Sequence, residues 1–226
     1  MWKNNTSEDW IDYKIKTAAA VSRGEKHKQR GLPCQDSVNI VKKDDVTVVS
    51  LSDGAGSCSN SDIGAELTTN AVSSFVCENF DYLYEAEKSK IVKDILDVTS
   101  HVLSKKAIKL SIEINDMSST LLFVASKNEK ILAGHIGDGV IVEVQDNKSS
   151  VFSSPENGEF SNVTFFLTSP DAEQRLRIYK STVNQNTGFV LMSDGSGESL
   201  CNMQDELIAP AIQKLIDWLD ENEAQT

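Results

Sequence analysis

Apolar positions in the first half of the chain follow two different spacings. Residues 46–52 are largely apolar, which is typical of a strand buried on both faces, and residues 14–22 and 36–41 have similar apolar and β-branched content. From residue 62 to residue 80, and again from 85 to 110, apolar residues recur every three or four positions with charged residues between them. The sequence therefore predicts three strands followed by two amphipathic helices.

Strand-like segments return in the second half of the chain, joined by short turns, and a helical spacing of apolar residues follows them. The predicted strands cover residues 119–126, 130–136, 140–144, 163–168, 178–183 and 188–193, and the predicted helix covers residues 204–219. Successive strands with short connections indicate antiparallel sheets. This order of elements predicts an α+β fold with helices packed on the sheet faces.

Length and composition indicate a folded, acidic protein. The 226 residues are enough for one globular domain covering residues 1–226, and an apolar content of 39% is ordinary for such domains. A formal net charge of −12 predicts repulsion of nucleic acid and of anionic membranes. The apolar runs fall far short of the roughly 20 residues of a membrane span, and the polar start of the chain does not resemble a secretory signal. We therefore expect a cytoplasmic protein that binds neither nucleic acid nor membrane.

The four cysteines lie far apart in the sequence, and none belongs to a Cys-x-x-Cys pair. This spacing favours neither a zinc knuckle nor a disulfide framework. We interpret them as reduced thiols with mainly structural roles.

Three Asp-Gly pairs each follow an apolar segment, and they begin at Asp53, Asp138 and Asp194. Asp-Gly is a favoured hairpin turn, so any single pair is readily explained as a turn. The pair at Asp53 fits that explanation poorly, because further small residues and a predicted helix follow it instead of a returning strand. Carboxylates and exposed backbone carbonyls are ligands of hard cations such as Mg²⁺ and Mn²⁺. Three such strand ends, brought together, would hold two ions.

Five short segments carry a more specific signal through their order and spacing. They are Gly31-Leu32-Pro33-Cys34-Gln35-Asp36, Leu51-Ser52-Asp53-Gly54-Ala55-Gly56-Ser57, Ser118-Ser119-Thr120, Ile136-Gly137-Asp138-Gly139 and Leu191-Met192-Ser193-Asp194-Gly195. Over nearly the whole chain this arrangement resembles the protein phosphatase 2C family of metal-dependent serine/threonine phosphatases, in a divergent, bacterial-type branch. The resemblance implies a four-layer α-β-β-α sandwich of two central antiparallel sheets flanked by helices, with the metals at one end.

The resemblance also implies roles for individual residues. Asp53 would bridge two Mn²⁺ or Mg²⁺ ions, Gly54 would offer its backbone carbonyl, and Asp194 would bind the second ion. Asp138 would serve a weaker third ion, and Asp36 would hold metal-bound waters. At such a binuclear site a metal-activated water attacks phosphorus, so no protein nucleophile is needed. The implied catalytic residues are therefore Asp36, Asp53 and Asp194.

Two positions depart from the family pattern. Family members usually open a final strand after the last helix with an Asp-Asn or Asp-Asp pair whose Asp binds metal, and residues 220–226 contain no such pair. Either that strand lies outside this sequence or one metal ligand is missing. Many members also place a phosphate-binding Arg where this chain has Gly31, and Arg30, one residue away, is the candidate for that role.

Three functions therefore stay open from the sequence. The first is a Mn²⁺- or Mg²⁺-dependent phosphatase of phosphorylated proteins, monomeric, with a cognate Ser/Thr kinase as a further expected partner. The second is a phosphatase-like module, catalytically weak or inactive, that binds a phosphorylated partner, and the missing ligand would favour it. The third is a two-metal phosphoesterase for small molecules. Near the motifs, we interpret His27 as a surface residue and His135 as structural or partly exposed.

Overall fold

Helices and strands occur in blocks along the chain. A computed structural model describes residues 15–156, 164–184, 186–205 and 207–221. In chain order, its elements are α1 (Glu25–Arg30), β1 (Asp36–Lys43), β2 (Val46–Asp53), α2 (Ser61–Glu78), α3 (Phe80–Glu85), α4 (Lys88–Leu110), β3 (Leu121–Lys127), β4 (Lys130–Ile136), β5 (Val140–Gln145), β6 (Lys148–Ser153), α5 (Ala172–Arg175), β7 (Arg177–Thr182), β8 (Thr187–Met192), α6 (Asp194–Leu200), β9 (Cys201–Asn202), β10 (Leu207–Ile208) and α7 (Pro210–Glu221). A short 3-10 turn at Ile114–Met117 connects α4 to β3.

The strands form two main antiparallel sheets. The larger sheet has the order β1-β2-β3-β4-β7 and the smaller has the order β6-β5-β8, while β9 and β10 form a separate short hairpin. Tight turns close the β1–β2 and β3–β4 hairpins, and in them Asp44 and Asn128 have φ values of 54° and 53°. Asp and Asn tolerate this left-handed conformation better than most residues, because their short polar side chains can hydrogen-bond locally.

The two sheets pack face to face, and helices cover their outer faces. Leu122 of the larger sheet and Ile141 of the smaller sheet lie in the apolar layer between them. On the outer face of the larger sheet, Phe123 packs with Ile91 of α4, and on the outer face of the smaller sheet Ile212 of α7 is fully buried. Each such side chain contributes roughly 1.5–3 kcal/mol through its burial. The predicted four-layer α-β-β-α sandwich is therefore confirmed.

Two of the predicted strands are wrong. The predicted strand at residues 14–22 has no regular structure from residue 15 onward, and the one at 163–168 has no regular strand from residue 164 onward. The first residue of each lies outside the described residues. In the first case, the carbonyl of Ile15 accepts a hydrogen bond from the Lys42 side chain (3.2 Å) instead of joining a strand ladder. β-branched and apolar content alone does not create a strand without a partner to pair with.

The C-terminal elements also differ from the prediction. The helix predicted at residues 204–219 begins only at Pro210, which suits the first helical turn but holds the residue before it away from the helical conformation. The apolar pattern does not predict β6 or α6, because β6 is rich in Ser and α6 begins at an Asp-Gly pair. None of the helices among the described residues combines the length and hydropathy needed to cross a lipid bilayer.

Candidate metal centre

Asp36 and Asp53 lie opposite each other at the open end of the β1–β2 hairpin. Asp36 begins β1, Asp53 ends β2, and the two are direct partners in the antiparallel register. Opposite residues in such a pair have Cβ atoms about 4.5–5.5 Å apart, and here the two carboxyl groups are close enough for each to shift the pKa of the other. The register of a single hairpin therefore places two acids in contact.

The backbone around Asp53 is fixed by neighbouring segments. The N–H of Asp53 donates to the Thr120 hydroxyl (2.9 Å), and the N–H of Thr120 donates to the carbonyl of Asp53 (2.8 Å). The next residue, Gly54, donates its N–H to the carbonyl of Gln35 (3.0 Å). A Cβ on Gly54 would lie 2.7 Å from the carbonyl oxygen of Ser61, so any larger residue would displace the start of α2. Glycine is required here for close packing against that helix.

Asp138 lies in the turn between β4 and β5. The residue before it, Gly137, has a φ of 117°, and a Cβ there would lie 2.5 Å from the side chain of Thr120. Both the conformation and the close contact require glycine at that position. The Asp138 carboxyl group is half-buried, and its Oδ2 accepts a 2.6 Å hydrogen bond from the hydroxyl of Thr164.

Asp194 approaches Asp53 from the smaller sheet. It follows β8 directly as the first residue of α6, is exposed, and accepts a 2.5 Å hydrogen bond from the N–H of Gly195. Acidic side chains are favourable at this end of a helix, because the N–H groups there lack partners within the helix. The Asp194 carboxyl also lies close enough to Asp53 to raise its pKa. Asp53 therefore interacts with one carboxyl group from its own hairpin and with one from the end of β8.

The ionisation of this cluster reflects its crowding. Burial, followed by the negative charges of Asp36 and Asp194 and a smaller effect from Asp138, raises the pKa of Asp53 to about 9. Burial also raises the pKa of Asp36, and the charge of Asp194 adds to that effect. The interaction with the Asp53 side chain and the charge of His27 lower the pKa of Asp36. A divalent cation at this point would oppose the repulsion among the carboxylates.

The donor atoms suit Mg²⁺ or Mn²⁺ bound with many waters. Among the described residues, no three Asp, Glu, His or Cys side chains form a cage that could hold a cation. The acids instead make pairwise contacts centred on Asp53. Mg²⁺ commonly binds proteins through one or two carboxylates and keeps several waters. All available donors are oxygens, which hard cations prefer. The residues present therefore fit the ions that the sequence resemblance implies.

Two residues near the acids were given no role in the site by the sequence analysis. Gln35 donates from Nε2 to the hydroxyl of Ser61 (2.7 Å), which ties the start of β1 to α2, and its Oε1 is buried without a protein partner. His27, interpreted as a surface residue, is half-buried, and its charge acts on Asp36. A glycine that ends a helix is visible in the sequence, and Gly31 is such a residue. Its left-handed conformation (φ 67°) ends α1 and turns the chain from His27 toward β1.

For Arg30, the predicted phosphate-binding residue, only the backbone is described. Arg30 is the last residue of α1, and its side chain lies outside the described part of the structure, so its role stays a prediction. Arg23 precedes α1 and donates from Nη1 to the carbonyl of Leu32 (3.2 Å). A guanidinium therefore does lie beside the first motif.

A buried polar network lies behind the Asp138 turn. Ser153 Oγ is 2.7 Å from His135 Nδ1 and 2.9 Å from the hydroxyl of Tyr179, while Arg177 Nη2 donates to the same His135 nitrogen at 3.0 Å. Because guanidinium can only donate, this nitrogen accepts and the ring is neutral. Burial, followed by the charge of Arg177, lowers the pKa of His135 to about 3. His135 is fully buried, so of the two interpretations from sequence the structural one holds.

Comparison with known proteins identifies one family. The sequence model of the family described as "Protein phosphatase 2C" matches residues 23–226. A curated relative, serine/threonine-protein phosphatase 3 of Escherichia coli (strain K12), is 25% identical over 215 residues, which cover 88% of this chain and 85% of the relative.

Solved structures share the fold at low sequence identity. The serine/threonine phosphatase of S. agalactiae superposes with a TM-score of 0.60 at 18% identity, covering 92% of this chain and 93% of that chain. The catalytic domain of the serine/threonine protein phosphatase PstP, solved in complex with two manganese ions, gives a TM-score of 0.53 at 14% identity, covering 83% and 84% of the two chains. These structures establish the similarity of the fold.

Proposed function

The chain belongs to the protein phosphatase 2C family of serine/threonine phosphatases, which are hydrolases, and we propose that it removes phosphate from phosphoserine and phosphothreonine at a binuclear Mn²⁺ or Mg²⁺ site. The observation that carries this proposal is the convergence of Asp36 and Asp194 on Asp53. The β1–β2 hairpin supplies Asp36 and Asp53, and a segment distant in sequence supplies Asp194. Such crowding of like charges has a physical rationale only if cations are bound there.

Each acid has a proposed role in that site. Asp53, which contacts Asp36 and Asp194, would bridge the two ions, and Gly54 would contribute its carbonyl oxygen. Asp194 would hold the second ion, and Asp138 a weaker third. Asp36, half-buried beside Asp53, would accept hydrogen bonds from waters around the ions. When bound, the ions would lower the pKa of a water and neutralise the charge of the phosphoryl oxygens.

The chain's own groups would orient the phosphate. Arg23, beside the first motif, and Arg30, at the end of α1, are the proposed phosphate-binding cations. A guanidinium binds two phosphate oxygens with parallel hydrogen bonds, which fixes the direction of the leaving group. The net charge of −12 disfavours nucleic acid as substrate. Membership of a serine/threonine phosphatase family supports a phosphoprotein as substrate, and a cognate kinase is a further proposed partner.

Hydrolysis of a phosphothreonine peptide tests the proposal. The assay is run with Mn²⁺, with excess chelator, and with Asp53→Asn, which keeps the shape of the side chain but removes its charge. Asp97→Asn on α4 is the matched control, because Asp97 is exposed and lies in a helix away from the acids. We expect turnover that requires both Mn²⁺ and Asp53, and that Asp97→Asn preserves.

Three other results would contradict the proposal. Turnover that survives chelation would exclude a metal mechanism. Binding of the phosphopeptide without turnover in saturating Mn²⁺ would favour a phosphatase-like binding module. Faster hydrolysis of nucleotides or sugar phosphates than of phosphopeptides would favour a small-molecule phosphoesterase.

A further inference from the structure

A chain segment beginning at Thr164 packs directly on the Gly137–Asp138 turn. The hydroxyl of Thr164 donates a 2.6 Å hydrogen bond to Oδ2 of Asp138. The carbonyl oxygen of Phe165 approaches Gly137 so closely that a Cβ there would lie 3.4 Å from it. Asp138 is thus contacted by a hydroxyl from a segment that carries none of the predicted metal ligands.

Arg175 of α5 holds this segment in place. Its guanidinium lies over the ring of Phe165, with 4.0 Å between Cζ and the ring centroid, and its Nη1 donates to Glu156 Oε1 at 2.9 Å. A further bond from its Nε reaches Asp171 (2.9 Å). Glu156 in turn donates its backbone N–H to the carbonyl of Gly137 (3.0 Å). One guanidinium therefore connects two of the chain segments that touch the Asp138 turn, through a cation–π contact and charge-assisted hydrogen bonds.

The Thr164 bond leaves Asp138 with a defined orientation. A carboxylate that accepts a hydrogen bond at one oxygen can present its other oxygen to a cation. Such partners fix the direction of a metal ligand, and their loss typically costs about 10–100-fold in metal affinity. The backbone itself does not supply this restraint, because Asp138 follows a glycine and lies in a turn outside the sheet ladder.

We propose that Thr164 is a positioning residue that orients the Asp138 carboxylate for a divalent cation, and that Arg175 holds Thr164 in place. The inference rests on the proposed function, in which Asp138 serves the weaker third ion. It adds that the affinity of this ion is set by a hydroxyl outside the Asp-Gly motifs.

Mn²⁺ binding to the full chain tests the inference without any assay of activity. The electron paramagnetic resonance signal of free Mn²⁺ is measured during titration, which gives the number and affinity of bound ions. The variants are Asp138→Asn, Thr164→Val, which keeps the shape but removes the donor, and Thr164→Ser, which keeps the donor. Thr168→Val is the control for loosening of the same segment, because the Thr168 hydroxyl bonds to Ser118 (2.6 Å) and not to Asp138.

The expected pattern separates the tight ions from the weak one. Asp138→Asn abolishes binding of the weakest Mn²⁺ ion. Thr164→Val lowers the affinity for that ion by about 10-fold and leaves the affinity for the tightly bound ions unchanged. Thr164→Ser restores the affinity to within about 2-fold of the wild type, and Thr168→Val leaves it unchanged. Arg175→Lys keeps the positive charge but loses the several N–H donors of the guanidinium. It also lowers the affinity for the weakest Mn²⁺ ion.

Other outcomes overturn the inference. Equal affinity of the weak class in Thr164→Val and the wild type, equal loss in Thr168→Val, or the absence of a weak class in the wild type would each exclude a positioning role. In those cases retention of the tight ions would leave the proposed function standing. Absence of all Mn²⁺ binding would instead contradict the proposed function itself. Thermal melts of each variant confirm that a folded protein is being compared.

Discussion

Asp36 and Asp53 lie opposite each other across the open end of the β1–β2 hairpin, and the charges of Asp36 and Asp194 both raise the pKa of Asp53. Like charges held this close favour a proton on one of the acids over full ionisation of all of them. Without a cation, the folded chain therefore holds acids in an arrangement that opposes their ionisation. Sites of this kind reduce the stability of the fold in exchange for function.

Replacement of Asp53 by Asn is expected to stabilise the metal-free protein. The change removes a half-buried acid that lies among like charges, and we expect a gain of roughly 1–2 kcal/mol in the free energy of unfolding. Added Mn²⁺ should stabilise the wild type by mass action but should not stabilise this variant. Urea unfolding in chelator and in Mn²⁺ measures both effects. Asp97→Asn should change neither, and a loss of stability of Asp53→Asn in chelator would contradict the electrostatic argument.

Stability should fall below neutral pH because of His135. Its folded pKa, about 3, is lower than its ordinary value of 6.5, so the unfolded chain takes up a proton that the folded protein excludes. The stability that comes from keeping the ring neutral is fully present above pH 6.5 and is lost as the pH falls from 6.5 toward 3. At pH 5 the stability already lost amounts to about 2 kcal/mol.

Urea unfolding at pH 7 and pH 5 checks the role of His135. His135→Gln removes the titrating group, so the loss of stability between these two pH values should shrink by about 2 kcal/mol relative to the wild type. His101→Gln is the matched control, because His101 is exposed on α4. An unchanged pH dependence in His135→Gln would show that folding does not lower the pKa of this ring.

The periodicity of the sequence predicts the parts of the fold that have strong amphipathic or apolar patterns. The strands from residue 36 to residue 53 and the helix beginning near residue 62 follow directly from such patterns. The strand predicted at 14–22 fails because its apolar content has no sheet partner to pair with, and this depends on the tertiary structure. β6 is not predicted because its three serines obscure the alternation of apolar and polar residues that is typical of a strand.

The candidate site also contains residues that the sequence predicts and residues that it does not. The Asp-Gly motifs indicate Asp53, Asp138 and Asp194 because strand ends with glycine are visible in the sequence. Thr164 is not predictable, since it lies in a segment without a motif and reaches Asp138 only through the folded chain. Sequence reasoning finds the acids, whereas the groups that orient them depend on contacts between distant segments.

Gly64 should be intolerant of even one added methyl group. A Cβ on Gly64 of α2 would lie 1.9 Å from the carbonyl oxygen of Met117, a rigid backbone atom. Gly64→Ala should therefore push α2 away from the segment that leads to Thr120 and should cost roughly 1–3 kcal/mol. The expected fall in melting temperature is about 2–4 °C per kcal/mol. Gly24→Ala is the control, because no atom lies within 4 Å of the Cβ position there. Equal melting temperatures for the two variants would show that the helix shifts without cost.

The acids around Asp53 should differ in their importance for turnover. Asp194 raises the pKa of Asp53 more strongly than Asp138 does, which indicates that Asp194 lies closer to it. Asp194→Asn should therefore abolish one tight Mn²⁺ site and reduce hydrolysis of a phosphothreonine peptide by at least about 100-fold, because the charge of the bound ions is used in the transition state. Asp138→Asn should retain the tight ions and mainly raise the Mn²⁺ concentration needed for half-maximal rate. Rate measurements over a range of Mn²⁺ concentrations distinguish the two variants. A variant of Asp194 that regains full rate at high Mn²⁺ would place Asp194 outside the tight site.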